Sequence, residues 1–90
     1  MITKNQIDKL FYSTEISAFE DFENDAKMEI SVFGKGSADE LSNRYYVYMR
    51  GVINCIAKIY NTDVSKYDDV ISNRELQMKQ HINKFVEGIA

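Results

Sequence analysis

The sequence predicts a small α+β domain: a short N-terminal helix, a two-stranded β-hairpin, one long helix and a C-terminal helix. Three observations carry this. Lys27-Met28-Glu29-Ile30-Ser31-Val32-Phe33 alternates with period two, placing Met28, Ile30 and Val32 on one face, as a half-wet strand does. Leu41, Tyr45, Tyr48, Val52, Ile56 and Ile59 recur at spacings of three and four, the stripe of a core-facing helix. Between them, Phe33-Gly34-Lys35-Gly36-Ser37 is the clearest break in the chain. An all-α bundle is the alternative fold, because Ile16, Phe19, Phe22, Glu23 and Ala26 also fit helical spacing.

The elements follow in order. Residues 3–12 read as a helix with Thr3 as N-cap, Gln6 completing a capping box, and Ile2 and Ile7 as a hydrophobic staple. Ser13 and Thr14 are expected to end it. The hairpin pairs a strand holding Ile16, Ala18, Glu20 and Phe22 with the one ending at Phe33, turning at Glu23-Asn24-Asp25-Ala26. Two strands alone are marginal in water, so helices must cover them. The long helix runs from about Ala38 to Tyr60, capped by Ser37 and closed by a left-handed Asn61. Gly51 sits inside it at a cost of about 1 kcal/mol relative to Ala, and close packing against another element is the expected compensation. The connector from Thr62 to Ile71 holds Val64 and Tyr67 inward in one turn. Ser72 then caps a last helix from about Asn73 to Gly88, with Leu76, Met78, Ile82, Phe85, Val86 and Ile89 as its apolar side.

Ninety residues make a single small domain, 1–90, that buries about two-thirds of its unfolded surface. Neither a secretory signal nor an apolar run long enough for a membrane span is present, and the one Cys permits no intrachain disulfide. A cytoplasmic protein is expected, since a lone thiol suits a reducing compartment. The net charge of −3 is uneven: residues 1–40 hold four bases against nine acids, −5, and residues 41–90 hold seven against five, +2. The acidic half disfavours a phosphate backbone and suits a basic partner surface.

The search for chemistry returns little. Gly34-Lys35-Gly36-Ser37 lacks the first glycine and the Gly-Lys-Ser/Thr order of a phosphate loop. Asp21, Glu23 and Asp25 alternate as calcium ligands do, but Ala26 and Val32 stand where the loop needs Gly and Glu. Cys55 and His81 form no ligand spacing and read as a buried small hydrophobe and a surface imidazole. No catalytic residue, cofactor or metal is expected, and the chain reads as a non-enzyme.

What remains is surface. Arg44, Tyr46 and Arg50 combine residue types favoured as interface anchors. Glu20, Glu23 and Asp25 supply an acidic patch. The leading expectation is a protein-binding module, a small inhibitor or regulator of a larger macromolecular machine, with a protein or nucleoprotein partner. The small, acidic, tyrosine-rich profile resembles accessory proteins of phages and mobile elements; that likeness is compositional and implies no residue roles. One alternative is a dimeric DNA-binding regulator reading the groove with Asn73, Arg74, Gln77, Lys79, Gln80 and Lys84 of the last helix. Another is an acidic nucleic-acid mimic using Glu20, Glu23, Asp25 and Glu29. Surplus apolar groups on the long helix predict a homodimer with Val47, Gly51 and Cys55 at its seam.

Overall fold

The computed structural model describes residues 2–89, which form a three-helix bundle 51 × 18 × 17 Å in extent with no strand among them. Helix α1 spans Lys4–Phe33, α2 spans Ala38–Tyr60, and α3 spans Asp68–Ile89, entered through a 3-10 turn at Ser65–Tyr67. The expected β-hairpin is therefore corrected, and with it the α+β class: the all-α alternative is the fold.

The reason lies in α1. Ile7, Phe11, Glu15, Ala18, Phe19, Ala26 and Ile30 are buried at helical spacing, with Phe22 packed beside them. A carboxylate occupies one of these core positions. That charge interrupts the apolar stripe beside Ser13 and Thr14, so the helix looks finished where it continues. No Gly or Pro interrupts the chain before Gly34. Of the supposed inner strand face only Ile30 is buried; Met28 and Val32 are exposed, 65% and 69%. Their alternation is an accident of surface apolar groups, not a strand.

Caps close both ends of α1 and of α2. Thr3 Oγ1 accepts from the Gln6 backbone N–H at 3.2 Å, and the Gln6 side chain accepts from Thr3 N–H at 2.8 Å. Gly34 takes the left-handed conformation at φ +72° and donates its N–H to Ile30 O at 2.7 Å, closing α1. Ser37 caps α2, accepting from the Glu40 backbone N–H at 3.3 Å, and Asn61 ends it at φ 47°. Helix α3 starts earlier than Ser72 implies: the 3-10 turn feeds directly into Asp68, and Asp68 and Asp69 suit the positive end of the helix. Tyr67 is buried as expected and stacks on Phe11, ring centroids 4.0 Å apart.

Each helix packs on the other two. The buried side of α2 is Leu41, Tyr45, Met49, Ile53 and Ile56, rotated from the predicted stripe, so Tyr48 and Ile59 stay exposed. On α3, Ile71, Met78 and Ile82 are buried while Leu76 is not. Gly51 packs against nothing: a Cβ placed there meets no atom within 4 Å. The expectation that it serves close packing inside the fold is corrected.

Candidate functional site

Polar groups inside the bundle are organised along the seam between α1 and α3, which run parallel. Asp8 accepts from the Tyr67 hydroxyl, Glu15 from Arg74, and Glu23 pairs with His81 Nδ1; partners lie 58 or 59 positions apart each time. Each rung joins a carboxylate on α1 to a phenol, guanidinium or imidazole at residues 67, 74 and 81, spaced by seven. Lys27 over the Phe85 ring, 5.9 Å from its centroid, continues the ladder.

The middle rung is the deepest. Glu15 is 3% exposed and accepts from Tyr45 Oη at 2.6 Å and Arg74 Nε at 2.8 Å, so one carboxylate ties all three helices. The Arg74 guanidinium lies 3.5 Å from the centroid of Phe19 and donates to Gln77 Oε1 at 2.9 Å. Burial, then the Glu15 carboxylate, raise the Tyr45 hydroxyl far above its ordinary pKa. Burial and Asp8 raise Tyr67 likewise. Asp8 is held below the usual carboxylate range, chiefly by hydrogen bonding from Lys66 and then Tyr67. Among the described residues every buried side-chain N or O has a partner. This network holds the bundle in register.

The residues expected at an interface do not gather in one place. Arg44 donates to Glu29 at 2.7 Å and lies 3.5 Å from Glu40 on its own helix. Arg50 pairs with Asp68 at 2.5 Å, and Tyr46 is half-buried against the core. Glu23 belongs to the ladder, whereas Glu20 and Asp25 are exposed and enter no ion pair among the described residues. Asp21 and Asp25 line an open groove with Ser17, Phe22 and Tyr48 between α1 and α2. Of the polar residues proposed to read DNA, Arg74 is committed to Glu15, and Lys79 pairs with Asp39 at 2.9 Å.

The predicted seam does gather. Val47, Gly51 and Cys55 are all exposed and line one shallow groove, floored and walled by Leu10, Tyr48, Val52, Ile56, Ile59 and Tyr60. Val47 is 61% and Ile59 71% exposed, large values for aliphatic side chains clustered together. Tyr48 joins this apolar groove to the acidic one, so a single side of the bundle carries both. Ile59, which the predicted stripe of α2 turns inward, lines this groove instead, with Leu10 of α1 opposite. Cys55 is exposed in this groove, not buried as its reading as a small hydrophobe implies, and His81 lies in the ladder, so the two are not brought together as metal ligands. No helix is long and apolar enough to cross a membrane among the described residues. No protein-family model, curated protein or solved structure matches this chain, and no family's residue roles carry over to it.

Proposed function

We propose that this protein acts by contact, as a protein-binding module whose working surface is the α1/α2 side, and that it inhibits or regulates a larger macromolecular machine. The observation supporting this is the apolar groove around Gly51, continuous through Tyr48 with the acidic groove of Asp21 and Asp25. Apolar surface of this kind gains by being covered, and the flanking carboxylates favour a partner with basic groups beside its apolar contact. A DNA reader on α3 is the second reading: Asn73, Gln77, Gln80 and Lys84 are exposed there, and Arg74, though bonded to Glu15, keeps 29% of its side chain exposed.

Cys55, the single cysteine, offers a direct test. A photo-crosslinker attached to its Sγ is expected to form covalent protein adducts, in purified solution or in an extract of the source cells. The same probe on Lys84→Cys in a Cys55→Ser background is the control, placed on exposed α3 surface. Adducts from position 84 as abundant as those from 55, or none from 55 in either setting, would remove the reading.

A further inference from the structure

We infer that the occupant of the groove is a second copy of this chain, with the two α2 helices antiparallel and crossing at Gly51. This rests on the α1/α2 side being the contact surface, and leaves the adjoining groove of Asp21 and Asp25 to the larger partner.

Gly51 carries the first part of the argument. It is helical, its φ is not positive, and a Cβ there would touch nothing within 4 Å. Nothing within one chain calls for glycine at the centre of the most exposed face of α2. A second backbone crossing there does, because only glycine lets two helices approach without a side chain between them.

The second part is symmetry. Val47 and Cys55 flank Gly51 at four residues on either side, on the same exposed face. In an antiparallel pair centred on Gly51, Val47 faces the partner's Cys55, and the two-fold repeats that contact, as an isologous interface must.

Charge is the third. The same register sets Lys58, which enters no ion pair among the described residues, opposite the partner's Arg44. That guanidinium is held by Glu29 at 2.7 Å and lies 3.5 Å from Glu40, so the cluster facing Lys58 carries a net −1. The symmetric interface therefore has an apolar centre and attractive ends.

Sedimentation equilibrium should give about twice 10.4 kDa at micromolar concentration, and Gly51→Leu should return it to one chain with undiminished helicity. Register is read by oxidation. Val47→Cys, with the native Cys55 opposite, should form a covalent dimer. Wild type should not, because antiparallel helices keep the two Cys55 residues about 12 Å apart along the axis. A wild-type mass that stays at 10.4 kDa at high micromolar concentration overturns the second copy. Ready disulfide formation between native Cys55 residues overturns the antiparallel register. Either result can stand beside Cys55 adducts to another protein. The contact-surface reading beneath is removed by a different result, loss of all Cys55 adducts or equally abundant adducts from position 84.

Discussion

Arg74 Nε donates to Glu15 Oε2 at 2.8 Å across 59 positions of chain, and the same carboxylate oxygen accepts from Tyr45. A buried charge of this kind costs desolvation that its partners must offset. Glu15→Leu removes the anion and strands Arg74. We expect a loss of about 3 kcal/mol, at the low end for a broken buried pair, because the Arg74 side chain remains 29% exposed. The combined Glu15→Leu, Tyr45→Phe, Arg74→Met variant should recover most of that loss in urea unfolding while its amide NMR dispersion narrows. A triple variant as unstable as the single would show that the network stabilises the bundle rather than fixing its register.

The same tyrosines set an alkaline limit. Tyr45 and Tyr67 hold their protons in the folded chain well above the ordinary value of 10.0 that the unfolded chain shows. A raised folded pKa contributes stability that is complete below pH 10 and is lost as pH rises beyond it. The urea midpoint should therefore fall above about pH 10. Tyr45→Phe and Tyr67→Phe should each flatten that fall while lowering stability at neutral pH by about 1 kcal/mol.

Asp8 acts at the other end of the scale. Its carboxyl is held below 3.8 by Lys66 and Tyr67, so its contribution is present above that value and lost as pH falls through the lower folded one. Asp8→Asn should flatten the acid limb of the stability profile below about pH 4, read by circular dichroism. An unchanged acid limb would place the sensitivity elsewhere, with Asp63, which Ser65 also holds low, as the next residue to replace.

The turn between α1 and α2 separates two uses of glycine. Gly34 has φ +72° and open space at its Cβ, so Gly34→Ala should cost about 1 kcal/mol and Gly34→Asn much less, since Asn tolerates that conformation. Gly36 has an ordinary φ, but a Cβ there would lie 2.8 Å from Cγ1 of the buried Ile30 and 3.0 Å from Leu41. Gly36→Asn should therefore be no better than Gly36→Ala. Thermal melts of the four variants distinguish strain from crowding.

The sequence shows the helix ends at Thr3, Ser37 and Asn61, which cap as their residue types suggest, whereas Ser72, predicted as a cap, lies inside α3. It hides what depends on a distant partner. Ser13 and Thr14 look like a helix stop because the next position on the buried face is the carboxylate Glu15, and only Tyr45 and Arg74, 30 and 59 positions away, make its burial tolerable. Met28, Val32 and Phe33 look like strand residues because local alternation does not reveal that the far side of a helix stays uncovered. That Val47, Gly51 and Cys55 share an exposed face is legible because α2 carries more apolar groups than one stripe can bury.

The parallel ladder also governs the order in which the chain folds. Antiparallel neighbours α1 and α2 meet across a four-residue link, Gly34–Ser37, whereas each rung between α1 and α3 closes a loop of 58 or 59 residues. That closure costs about 2 kcal/mol more in chain entropy. The rungs therefore form late, after the α2 hairpins have brought α3 alongside. Removing one should leave the folding rate nearly unchanged and hasten unfolding, so the carboxylates of α1 serve as latches on the lifetime of the bundle.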